Sequence, residues 1–122
     1  MGLNRYLAVM LGGAFGSVAR YSIGVFITAR YPVPFPLATF LINVTGSFLI
    51  GFVMTAIPVG AHPVLRPLFV SGVLGGYTTF SAFEWETYSA PPVMAILYVL
   101  ASVGVGFLAC WSGAAVARYW GR

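Results

Sequence analysis

The chain has 122 residues, 60% of them hydrophobic and only 7% charged, with a mean hydropathy of +0.94. A soluble domain carries about a quarter charged residues, so this composition excludes a water-dissolved globule and requires a lipid surround. The net charge of +4 comes from Arg and two Glu, with the Arg dispersed along the chain, which excludes a basic nucleic-acid face.

Four apolar stretches, at about 4–29, 36–57, 64–88 and 92–119, each reach the ~20 residues that a helix needs to cross the hydrocarbon core. They predict one all-α transmembrane domain over 1–122. The first stretch runs long and contains Arg20, which argues against a cleaved signal. Gly12 and Gly16 within it form a small-xxx-small pair that admits a neighbouring backbone closely. Arg20 lies deep in this helix, where a charge must be paired, wet or snorkelling to an interface. The turn Tyr31-Pro-Val-Pro-Phe-Pro36 ends helix 1, because proline removes donors and forbids helical geometry just before it.

Helix 2 places Thr39, Asn43 and Gly46/Ser47 along one stripe at helical spacing. Such hydroxyls serve equally well as glue between transmembrane helices. The Asn43 amide is costly to leave idle in lipid, and its NH₂ is a good donor to an anion. Asn43-Val44-Thr45 also matches a glycosylation sequon, but it lies mid-span, out of a transferase's reach.

Helix 3 follows the loop Ile57-Pro58-Val-Gly60-Ala-His62-Pro63 and holds the most telling run of the chain. Gly75-Gly76 is the expected breakpoint: two glycines weaken a helix, and Thr78, Thr79, Ser81 and Glu84 follow at once. A break frees carbonyls at the end of one half and N–H groups at the start of the other, the device by which broken transporter helices hold ions. The alternative is an unbroken helix whose glycines serve a tight crossing. Phe80 and Phe83 share a face, and ring edges are electropositive enough to meet a small anion. Of Glu84 and Glu86, pointing different ways, one is available to pair with an Arg and the other to sit in a vestibule.

Helix 4, after Ser89-Ala-Pro91-Pro92, sets Tyr98, Ser102, Gly106, Cys110 and Ala114 on one small or polar face. Cys110 has no second cysteine to pair with and reads as a packing residue. Four helices in contact leave no central channel, so transport would need an oligomer with the conduit at or beside an interface. The termini and the 58–63 loop share one side with Arg5, Arg66, Arg118 and Arg122, against Arg30 opposite, which places both termini in the cytoplasm.

Three ordered motifs on separate helices resemble the Fluc (CrcB) fluoride-channel family over essentially the whole chain. They are Gly12-Gly13-Ala14-Phe15-Gly16-Ser17-Val18-Ala19-Arg20-Tyr21, Thr39-Phe-Leu-Ile-Asn43-Val-Thr-Gly46-Ser-Phe-Leu-Ile-Gly51, and Gly72-Val-Leu-Gly75-Gly76-Tyr-Thr78-Thr79-Phe80-Ser81-Ala-Phe83. The resemblance implies an antiparallel, dual-topology dimer of four-helix subunits with two fluoride pores and helix 3 broken mid-membrane. It implies a structural sodium ion at the dimer centre, held by the backbone carbonyls of Gly75 and Thr78. It also implies a pore built from Asn43, Phe80, Phe83, Tyr98, Ser102, Thr39 and Ser81, with Arg20 and Glu86 in structural or vestibule positions. Ala38 and Ala82 depart from the family pattern, the second removing a hydroxyl from the polar path.

The expected function is passive, fluoride-selective export across a bacterial inner membrane, which lowers fluoride toxicity. The expected partners are fluoride, the bilayer and an oppositely oriented second subunit, either a copy of this chain or a paired relative; nucleic acid is not among them. No catalytic triad, metal cluster or phosphate loop points to an enzyme. A proton-coupled multidrug exporter of similar size needs an acid in helix 1, and helices 1 and 2 have none. A scaffold subunit would account for the glycine faces but not for the Thr-Thr-Phe-Ser-Ala-Phe run.

Overall fold

The computed structural model describes residues 2–122, and every described element is helical. Helix α1 spans Gly2–Arg30 and closes through a Tyr31 N–H to Ile27 O bond of 2.8 Å. The prolines of 32–36 then offer no N–H to continue it. Helix α2 spans Leu37–Ala56 and α5 spans Pro92–Trp120. These three are long and apolar enough to cross a membrane.

The third stretch is divided. Pro67–Leu74 winds as a π-helix and Gly75–Tyr77 as a single α turn; together, 67–77 form α3. Thr78 and Thr79 are extended, with φ/ψ of −80°/157° and −147°/119°. Helix α4, Phe80–Ser89, starts after them.

The helices pair as α1 with α3 and α2 with α5, and both pairs close on glycine. A Cβ on Gly12 would stand 2.5 Å from Leu68 O, and one on Gly16 would overlap Val73 O. Across the other pair, a Cβ on Gly51 would overlap Cys110 O and one on Gly113 would overlap Phe48 O. Backbone meets backbone here, the contact on which small-residue transmembrane packing relies. The outward faces of α1 and α5 carry Leu11, Phe15, Leu100, Phe107 and Trp111, all exposed.

Gly76 is part of this packing, and neither glycine of the pair is the point where helical geometry ends. Gly75 keeps φ/ψ of −62°/−36°. Gly76 is helical too, and a Cβ on it would lie 2.5 Å from Gly13 O. The tight-crossing reading therefore describes Gly76 but not Gly75, while the chain leaves helical geometry only at Thr78 and Thr79.

Arg66, expected as a topology charge, caps α2. Its Nη2 donates to Ile57 O at 2.8 Å and Met54 O at 3.1 Å, and its Nε donates to Ile57 O at 3.2 Å. A cation suits the last-turn carbonyls, which carry the negative end of the helix dipole. Arg66→Gln should lower stability by about 2 kcal/mol, the scale of charge-assisted hydrogen bonds. A thermal melt in detergent checks this, and an unchanged midpoint would show that the 57–66 loop is held by other means.

Candidate ion pathway

The Thr78–Thr79 junction is fastened to α2 by one side chain. Asn43 Nδ2 donates to Thr79 O at 2.9 Å, and Thr79 N–H donates to Asn43 Oδ1 at 2.9 Å. The amide thus acts as a surrogate peptide unit, satisfying both backbone groups of a residue that has left the helix. Thr79 Oγ1 in turn accepts from Ala82 N–H at 3.1 Å, capping α4. Thr78 turns its hydroxyl back to Leu74 O at 2.9 Å.

Beside this junction lies a cavity of about 370 Å³ lined by Asn43, Ser47, Gly75, Thr78, Thr79 and Phe80 among others. A second cavity, of about 560 Å³, is lined by Arg20, Thr39, Thr79, Ala82 and Glu86 together with apolar residues. Thr79 borders both. Arg20 lines the second cavity and donates from Nε to Gly76 O at 3.1 Å, so it answers the end of α3.

Glu86 takes its hydrogen bonds from hydroxyls, not from an Arg. Thr39 Oγ1 donates to Oε1 at 2.7 Å and Tyr98 O–H donates to Oε2 at 2.7 Å. The expectation that one Glu pairs with an Arg therefore fails for Glu86, whose two oxygens are already answered by α2 and α5. Tyr98 is fully buried, and Thr39 is buried with it.

An aromatic series leads from the surface to this carboxylate. Phe80 is 73% exposed and its ring centroid is 5.9 Å from that of Phe83. Phe83, buried, lies 5.0 Å from Tyr98. Phe35 meets Tyr98 edge-on at 5.4 Å. The structure thus brings Phe80, Phe83, Tyr98, Thr39 and Glu86 into one file, with Asn43 and Thr78 at the neighbouring junction.

Other residues stand apart from that file. Ser81 is exposed, with its hydroxyl 3.4 Å from Thr79 Oγ1. Ser102 Oγ is buried and has no hydrogen-bond partner among the described residues. Ser47 bonds its own helix through Asn43 O at 2.7 Å rather than gluing two helices. Two contributors escaped sequence reasoning. Thr79 was read only as one of the polar residues after the diglycine, not as the cap of a helix, and Phe35, inside a proline turn, gave no signal of contact with Tyr98.

The family description "CrcB-like protein, Camphor Resistance (CrcB)" matches residues 7–114. A protein of Solibacter usitatus is 47% identical over 120 residues, covering 93% of this chain and 98% of its own length. One of Rhizobium meliloti is 43% identical over 122 residues, with 95% and 98% covered. One of Acidobacterium capsulatum is 46% identical over 120 residues, with 92% and 94% covered. Each of the three is named "Fluoride-specific ion channel FluC", a channel and not an enzyme. With apolar helices that make it a multi-pass membrane protein, the chain belongs to the CrcB family.

Proposed function

We propose that this protein is a fluoride-selective channel of the bacterial inner membrane that exports cytoplasmic fluoride passively and so lowers its toxicity. The observation that carries this reading is the file Phe80–Phe83–Tyr98, in which two aromatic rings lead inward to a buried hydroxyl held by Glu86, with no basic residue in the file to trap the anion. Fluoride must shed tightly held water, and donors along the path replace it: the second Nδ2 hydrogen of Asn43, the unpartnered Ser102 hydroxyl and the exposed Ser81 hydroxyl. Hydrogen fluoride enters as a neutral acid and ionises inside. The inside-negative potential then favours exit of the anion by ~2.3 kcal/mol per 100 mV. The path needs no fuel.

The working unit is a dimer of oppositely oriented subunits, because one four-helix chain encloses no channel. Gly75 and Phe80 are both exposed on the single chain, which supports a second subunit there. The third span is interrupted near the bilayer midplane, and the carbonyls of Gly75 and Thr78 hold a structural sodium ion at the seam. The residues fit: neutral backbone oxygens beside an extended junction are the ligands that discontinuous helices offer sodium. When bound, the ion ties the two subunits together; it takes no part in moving fluoride.

Purified protein in liposomes loaded with fluoride, with efflux followed by a fluoride electrode under an imposed potential, tests the reading. Rapid fluoride release with chloride retained is expected. Absence of fluoride release, or equal chloride release, would end it.

A further inference from the structure

We infer that Asn43 and Thr79 are positioning residues for the cation site, because their side chains intercept the two N–H groups that would otherwise close Gly75 O and Thr78 O. In an α-helix the carbonyl of residue i accepts from the N–H of residue i+4. The donor due to Gly75 O is the Thr79 N–H, which goes instead to Asn43 Oδ1 at 2.9 Å. The donor due to Thr78 O is the Ala82 N–H, which goes instead to Thr79 Oγ1 at 3.1 Å. Each oxygen loses its helical partner to a side chain.

The neighbouring carbonyls are treated differently. Leu74 O keeps its helical donor, Thr78 N–H, at 3.0 Å and accepts the Thr78 hydroxyl as well. Gly76 O is held by the Arg20 guanidinium at 3.1 Å, and a carbonyl already facing a cation is a poor ligand for another. Side-chain interception therefore marks Gly75 and Thr78 and passes over Leu74 and Gly76; Tyr77 O also has no hydrogen-bond partner among the described residues, but no side chain takes its due donor. Toward the cation Asn43 and Thr79 act only through the backbone. This inference rests on the sodium site proposed above and goes beyond it by assigning which side chains build that site.

The test uses the purified full chain in detergent, with sodium chloride titrated against choline chloride and the thermal midpoint read. Sodium should protect the wild type. Asn43→Leu and Thr79→Val, which remove the intercepting oxygens, should raise the half-saturating sodium about 10–100-fold, the range for groups that orient metal ligands. Asn43→Asp and Thr79→Ser keep an acceptor and should stay within about threefold of wild type. A wild-type sodium response in both Asn43→Leu and Thr79→Val overturns the inference.

If those variants do not fold, carbonyl-¹³C-labelled wild type decides. Exchanging sodium for choline should move the Gly75 and Thr78 carbonyl resonances and leave Gly76 in place. Movement at Gly76, or at none of the three, overturns the inference. Neither readout involves fluoride, so failure of the channel reading would appear separately, in the electrode measurement.

Discussion

Replacing Gly113 with valine should abolish recovery of folded protein, with a destabilisation on the order of 3 kcal/mol or more. The added Cβ would overlap Phe48 O and stand 3.0 Å from Phe52 N. Both are backbone atoms of α2, so no side-chain rotation relieves the clash. The pair must separate, and the contacts along α2 and α5 are lost together. In lipid that loss has no hydrophobic compensation, because tails are as apolar as the helices, and packing itself is the force of association.

Gly24→Ala and Gly104→Ala are the matched controls. A Cβ at either position meets nothing within 4 Å. Both should fold normally and gain up to about 1 kcal/mol from helix propensity. Size-exclusion profile and thermal midpoint in detergent separate the outcomes. A monodisperse, normally stable Gly113→Val protein would show that α2 and α5 can part without penalty.

Phe83→Ile should cut fluoride flux about tenfold, equivalent to ~1.4 kcal/mol on the barrier. Isoleucine keeps most of the buried volume but has no electropositive edge. The Phe83 ring stands between Phe80 at 5.9 Å and Tyr98 at 5.0 Å, so its removal interrupts the file at the middle. Phe80→Ile makes the cleaner comparison, because an exposed ring contributes little to the fold of the single chain. If it slows fluoride efflux without moving the thermal midpoint, the ring acts on the ion and not on packing. Wild-type flux in both variants would remove the two rings from the path.

Much of this organisation was legible in the chain. Charge scarcity and four apolar stretches sufficed for a helical membrane protein, since hydrocarbon leaves few other ways to satisfy a backbone. The prolines of 32–36 and 91–92 marked their turns for the same reason, by withholding donors. Asn43 stood out because a primary amide in lipid demands a partner. Which partner was invisible: Thr79 is 36 positions away, and its backbone groups became available only once the chain had left the helix there.

Gly75-Gly76 was misleading for a related reason. Glycine marks both weak helix and close approach, and sequence does not distinguish them; the nearness of Gly13 O to Gly76 made the second use operative. Likewise two carboxylates and six cationic residues suggested an ion pair by composition. Folding instead carried Glu86 to Thr39 and Tyr98, on helices remote in the chain, because hydroxyls there lay within bonding distance and a guanidinium did not. Membership of lipid, helix count and turn positions follow from local composition and backbone chemistry. The partners of each polar group depend on how helices distant in sequence are brought together, and that was settled by where glycine lets two backbones touch.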